Sequence, residues 1–196
     1  MRFQSKTIVE VEEGYRIVAV PALGYSRNLS LRRVVDHSHV AKNLEESWNH
    51  EPKPHVVVAS YPTIDAAYAA MKFGAKSNVP VIVDIVDQWP DTFLDLAPSS
   101  LRWLMQLALV PLNRKANEVF RNATVLTAHG PAVVDWAIKR SGREKTAYDQ
   151  YFAMSYPNIP PSHSELANAE RFWHDRGIRE TDFLVAFEVA PVWWTV

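Results

Sequence analysis

The run Val81-Ile82-Val83-Asp84-Ile85 narrows this chain more than any other stretch, because it is followed at once by Val86-Asp87-Gln88-Trp89-Pro90. A short apolar, β-branched run of this kind reads as a strand buried on both faces of a parallel sheet. Pro80 opens it, and the missing N–H of a proline is tolerated at a first strand position. Similar runs lie on either side, at 55–59 and 124–128. Parallel neighbours need a crossover, and the spacing supplies one: Ile64, Ala67, Tyr68, Met71 and Ala75 recur at helical intervals. A second helix is expected from Ser100 to about Asn122, and a third from Pro131 to Arg140. The alternation of short strands and helices predicts an α/β domain with right-handed crossovers.

The remaining segments are read in the same way. Residues 7–11 and 15–20 predict a hairpin turning at Glu12-Glu13-Gly14. After a loop at 22–28, Ser30 is placed to cap a helix running to about Asn49, with Leu31, Val34, Val35, His39 and Ala41 as its apolar stripe. Ser60-Tyr61-Pro62-Thr63 reads as a loop and cap. From Ala147 the pattern loosens through Tyr156-Pro157-Asn158 to Pro161 and reads as a linker, followed by a helix over 164–176 and a strand over 183–187. The chain then runs to an apolar tail with Trp193 and Trp194. The expected division is 1–160 and 161–196.

Composition excludes several functions. With 21 Lys and Arg against 22 Asp and Glu, the chain has no electrostatic reason to bind nucleic acid. It has no cysteine, hence no disulfide and no thiolate chemistry. No GxGxxG, GxxxxGK[ST] or GxSxG occurs, so no dinucleotide, P-loop or serine-hydrolase site is expected, and no cofactor. Seven histidines form no metal-binding spacing: His37 and His39, two apart, point to different helix faces, and no metal is expected. The most apolar segment, 101–112, is broken by Arg102, Gln106 and Pro111; it is suited to lie on a membrane and not to cross one.

Candidate chemistry gathers where strands end, because ligands of open α/β sheets sit at the carboxyl edge. Asp84 and Asp87 fall there, with Trp89 beside them and Ser60 and His129 on the neighbouring loops. A structural reading stands next to the functional one: Asp84 closing the strand, Asp87 capping a turn, Trp89 packing in the core, and His129 capping the helix at Pro131.

The order of these segments resembles the N-terminal domain of family 4 (group 1) glycosyltransferases, in the branch that builds polysaccharides and O-antigens. The resemblance is carried by the Asp-x-x-Asp-x-Trp-Pro run at 84–90, the Ser60-Tyr61-Pro62 loop, the Ala-Thr-Val-Leu-Thr-Ala-His-Gly segment at 123–130 and Tyr156-Pro157-Asn158. It covers roughly residues 7–187, with Val86 standing where members often place His or Arg. The resemblance implies a Rossmann-like parallel sheet flanked by helices, the N-terminal half of a GT-B fold. It implies catalytic roles for Asp87 and Asp84 in orienting an acceptor, and acceptor contacts at Ser60, Tyr61, Trp89 and His129. It further implies a retaining transferase acting on a glycan or lipid-linked acceptor in the cytoplasm or at the inner face of the membrane. The nucleotide-sugar donor is held by a second domain in that family. The usual first strand and its glycine-rich loop have no counterpart, and the sequence reaches only the strand that would begin a second domain, so an N-terminal fragment inactive alone is expected. Two other readings remain: a non-enzymatic α/β binding or interaction module, and a different small-molecule enzyme on a flavodoxin-like sheet.

Overall fold

The computed structural model describes residues 5–26, 30–95, 97–155, 159–179 and 181–182. The expected strand at 183–187, Tyr156-Pro157-Asn158 and the paired tryptophans lie outside the described residues. The chain divides into two units, Met1–Ala153 and Met154–Val196.

The first unit begins with an antiparallel hairpin, β1 (Thr7–Glu12) and β2 (Tyr15–Ala19), turning at Gly14 with φ of 77°. Helix α1 (Leu31–Trp48) follows, its first turn closed by the Ser30 hydroxyl accepting from the Arg33 amide. Its expected stripe is met at Ala41, which is buried, and not at Val34 and Val35, which are exposed; Asp36 and Ser47 turn inward, and Asp36 accepts the Gly24 amide at 2.7 Å.

Then come β3 (Val57–Tyr61), α2 (Ile64–Ser77), β4 (Val81–Ile85), the short α3 (Thr92–Asp95), a 3-10 turn Ser99–Leu101, α4 (Arg102–Ala108) and α5 (Val110–Asn122). The unit closes with β5 (Val125–Ala128), α6 (Pro131–Ser141) and β6 (Gln150–Tyr151). The four later strands form one parallel sheet in the order β3-β4-β5-β6. This is a mixed α/β architecture, a four-stranded parallel sheet flanked by helices, consistent with a Rossmann-like fold.

Each strand is added on the same side of its predecessor, so right-handed crossovers deliver α2, α5 and α6 to one face of the sheet. That face is the core: Ala59, Tyr61, Val81, Val83, Ile85, Leu126 and Ala128 meet Ala67 and Met71 of α2, Val119 and Phe120 of α5, and Val134 and Ala137 of α6. Phe120 is its hinge, with ring centroids 4.8 Å from Tyr61 and 5.4 Å from Trp136. Strand residues alternate, so the other face carries Val58, Ser60, Ile82, Asp84 and Val125, all of them exposed or half-buried.

Four expectations are corrected. Ser60 and Tyr61 are not loop: they complete β3, because Val86 donates its amide to the Tyr61 carbonyl at 2.9 Å and prolongs the ladder. Thr63 precedes α2 but its side chain makes no cap bond. The long helix is interrupted at Leu109, where Pro111 lacks the N–H that would have continued the ladder and sits in the first turn of α5. Residues 147–153 belong to the sheet unit and not to a linker, because β6 pairs with β5 and Phe152 donates to the Ala128 carbonyl at 2.8 Å. In the second unit, α7 (His163–His174) opens on a capping box between Ser162 and Glu165.

A carboxylate completes the sheet where β6 is too short to do so. Asp149, whose side chain is fully buried, accepts from the Leu126 amide at 2.8 Å, the Thr146 amide at 2.7 Å and the Arg143 guanidinium at 2.6 and 3.0 Å. Burial by itself would raise its pKa; Arg143 and the two amides outweigh it and hold the group at about 2. The associated stability is present above the ordinary value of 3.8 and is lost as pH falls from there toward about 2. Asp149→Asn should cost about 2 kcal/mol at neutral pH and flatten the acid limb of a stability–pH curve, measured by urea unfolding. Gly74 is the other tight point: a Cβ there would lie 2.3 Å from Val81 Cγ2 and 2.8 Å from the Val79 carbonyl. Gly74→Ala should therefore destabilise by about 1–3 kcal/mol in the same experiment, through overpacking of α2 against the start of β4.

Candidate functional site

The carboxyl edge of the sheet holds two groups of residues on different sides. On the less covered face, the register sets Ser60, Asp84, Thr127 and Gln150 in one row across the four strands. Asp84 is half-buried and accepts from the Thr127 hydroxyl at 2.7 Å. Ser60 is exposed beside it. One register step further on, His129 follows Ala128 and Val86 follows Ile85, so His129 and Asp87 leave the sheet at the same edge. Asp87 is exposed, and one of its oxygens accepts the amide of Gln88 at 2.8 Å. His129 is exposed and does not cap α6, whose cap position is Gly130 with no side-chain bond.

The loop after Asp87 crosses to the helix-covered side. Trp89 packs against the core and against Phe93, with ring centroids 4.8 Å apart. Tyr61 fixes it there by donating its hydroxyl to the Trp89 carbonyl. Tyr61 is fully buried, and burial pushes its phenol well above the usual range. The expectation that Tyr61 touches an acceptor is corrected accordingly: its ring is core and its hydroxyl is spent on the loop. The loop is fixed a second time by Asp91, which accepts from Trp136 Nε1 at 2.9 Å and from the Arg140 guanidinium, both on α6. A surface pair would contribute little, but Arg140 is mostly buried and stacks on Trp136 with its guanidinium carbon 5.2 Å from the ring centroid.

Trp89 also forms one wall of a groove of about 450 Å³ between α1, the start of α2 and the α4–α5 segment. Its walls are Val34, Ile64, Phe93, Met105, Leu109 and Leu112, with Arg33 and His37 the polar side chains contributed by α1. Arg33 and His37 are four residues apart and so share one face of α1. The Arg33 guanidinium carbon lies 4.2 Å from the Trp89 ring centroid and 5.5 Å from that of Tyr25, and its Nε is 3.4 Å from His37 Nε2. Burial lowers the His37 pKa below 6.5, and the Arg33 charge lowers it further. At the groove floor, buried Asp65 is held by Lys115 and by the Ser38 hydroxyl at 3.1 Å. A larger cleft of about 720 Å³ lies at the opposite, amino end of the strands between α2 and α5. The carboxyl edge remains the better candidate, because it carries the polar row, the Asp87 loop and the groove together.

The arrangement can orient a hydroxylated ligand and accommodate an apolar one. Asp87 offers its second carboxylate oxygen to a hydroxyl, Ser60 and His129 add exposed polar groups on the same edge, and the groove would take a hydrocarbon chain. Sequence reading missed Arg33, His37 and Phe93; their signal was the four-residue spacings Arg33–His37 and Trp89–Phe93. Among the described residues, no group of three or more His, Asp or Glu is placed to hold a metal ion. No helix among them is long and apolar enough to cross a membrane.

No protein-family model matches this chain, and a search of the curated proteins finds no match. What fold and site define is an α/β domain of Rossmann-like type with a polar edge and an apolar groove beside it.

In an NMR titration the His37 imidazole should have its midpoint below 6.5, and Arg33→Gln should move that midpoint upward by removing a repelling charge. Because the folded state favours neutral His37, its contribution to stability is full above 6.5 and declines as pH drops through 6.5 toward the folded value.

Proposed function

We propose that this chain is the acceptor-side domain of a retaining, family 4-like glycosyltransferase that works on a glycan or lipid-linked acceptor in cell-surface polysaccharide biosynthesis. The observation that carries the reading is the position of the Asp84–Pro90 run. It leaves a central parallel strand at the carboxyl edge, is fixed by Tyr61 and Asp91, and borders an apolar groove. In this reading the free oxygen of Asp87 accepts a hydrogen bond from the acceptor hydroxyl and orients it. Ser60 and His129 contact the acceptor saccharide, and the groove beside Trp89 holds the start of its lipid. Asp84 acts less directly, because Thr127 already occupies one of its oxygens.

The donor diphosphate is assigned to a second domain of the kind the resemblance implies. Asp84 and Asp87 would repel it at this edge, and the sequence has no glycine-rich phosphate cradle. The reaction is placed in the cytoplasm, at the inner face of the membrane where lipid-linked acceptors are exposed.

A binding module without catalysis is the second reading. It is favoured by one fact: each of the two carboxylates already has a structural partner, Asp84 in Thr127 and Asp87 in its own loop.

Titration calorimetry of the chain with UDP-, GDP- and TDP-sugars should give no saturable binding; micromolar binding would overturn the acceptor-side assignment in favour of a self-contained enzyme. With a polyprenyl-linked saccharide in detergent, Asp87→Asn should weaken retention about tenfold, the loss of one hydrogen bond to a charged group, with no fall in thermal midpoint. Equal retention by both proteins removes Asp87 from the site.

A further inference from the structure

Helix α4 and the turn before it are apolar on a side that no part of the unit covers. Every residue from Leu101 to Ala108 is exposed, with Trp103 at 63%, Leu107 at 61%, Leu101 at 52% and Leu104 at 51%. At 100° per residue the only polar members, Arg102 and Gln106, fall four apart on one narrow stripe. The others spread over an arc of roughly 200°, about twice the stripe that one packed helix needs. Buried Leu109 ties the end of this helix to the body, so the helix is held out as a fixed projection.

A protein partner seated on one side would leave half of that arc in water. A lipid interface covers it all, with the polar stripe facing outward. Charge points the same way. From Ala97 to Asn117 the sequence has no Asp or Glu but has Arg102, Arg114 and Lys115. Lys115 is engaged by Asp65, whereas Arg102 and Arg114 are exposed and have no ion-pair partner among the described residues.

We infer that α4 is an interfacial anchor that embeds Leu101, Trp103, Leu104 and Leu107 in an anionic lipid leaflet, with Arg102 and Arg114 at the headgroups. Met105 and Leu109 are shared between this segment and the groove wall. Anchoring therefore sets the groove mouth at the level of the lipid chains, where a chain enters without crossing water. The inference deepens the membrane placement proposed above and rests on it.

The test is co-sedimentation of the full chain with vesicles of phosphatidylcholine alone and of phosphatidylcholine with phosphatidylglycerol in equal parts. The chain should pellet with the mixed vesicles and much less with the neutral ones. Leu104→Glu with Leu107→Glu should abolish pelleting, and Leu104→Ser with Leu107→Ser should weaken it at least about tenfold without introducing a repelling charge. Arg102→Gln and Arg114→Gln should each weaken binding about fivefold, an effect that salt screens. These side chains are exposed, so circular dichroism and the thermal midpoint should match the parent in every variant. Full binding by both double-leucine variants would overturn the assignment to α4 while leaving membrane placement intact. No pelleting of the parent with either vesicle would overturn both. Self-association of the parent, lost in the same variants and unaccompanied by vesicle binding, would give the face to a second copy and overturn the inference. Retention of the polyprenyl-linked saccharide in detergent is scored separately, because it needs no bilayer.

Discussion

Strand β4 cannot leave a backbone amide or carbonyl unpaired, and the rest of the sheet unit follows from that constraint. It lies between β3 and β5, and its helix-facing side chains Val81, Val83 and Ile85 are buried. A strand so enclosed must find hydrogen-bond partners on both edges, since an unmade bond costs more than a made one gains. Even its entry is satisfied: Thr124 supplies a hydroxyl to the Val81 amide at 3.0 Å and an amide to the Val81 carbonyl at 2.9 Å. Parallel pairing on both edges then requires crossovers, and the crossover helices become the core.

The sequence made this framework legible where one physical signal dominates. β4, α2 and the capping serine of α1 follow from an apolar run, a helical period and a hydroxyl at a helix start. It was less legible where partners are remote. β6 has only two residues, too few to show a period, and is held by Asp149, whose partners lie 23, 6 and 3 residues away. Ser60 and Tyr61 looked like loop because a Ser-Tyr-Pro sequence favours a turn, yet the ladder with β4 overrides local preference. The departure of α1 from its expected stripe at Val34 and Val35 has the same origin. Asp36 turns inward because the Gly24 amide needs an acceptor, a demand no residue of α1 announces.

At the candidate site the sequence located the edge and not the side. Ser60, Asp84, Asp87 and His129 do collect at one end of the strands. Trp89, five residues after Asp84, ends on the helix-covered side because Tyr61 and the core draw it there. Alternation along a strand tells which residues share a face, but the direction taken by the loop beyond depends on Tyr61, 28 residues earlier, and on Asp91 meeting Trp136, 45 residues away. The groove is less legible still, since it joins side chains of α1, β4's loop and α4–α5 that no single window contains.

The one-directional strand order also bears on how the molecule is made. In β3-β4-β5-β6 every strand joins an edge left by the one synthesised just before it, and no later strand has to be inserted between earlier ones. A ribosome releasing the chain amino end first therefore presents each strand and helix pair to a template already waiting. Contacts stay between neighbours in the sequence, which keeps the entropic cost of loop closure small at each addition. Until β4 arrives, β3 has a bare edge that begins with Val57 and Val58; α2, the only element between them, spans fourteen residues. The interval in which that edge can pair with a neighbouring nascent chain is correspondingly brief.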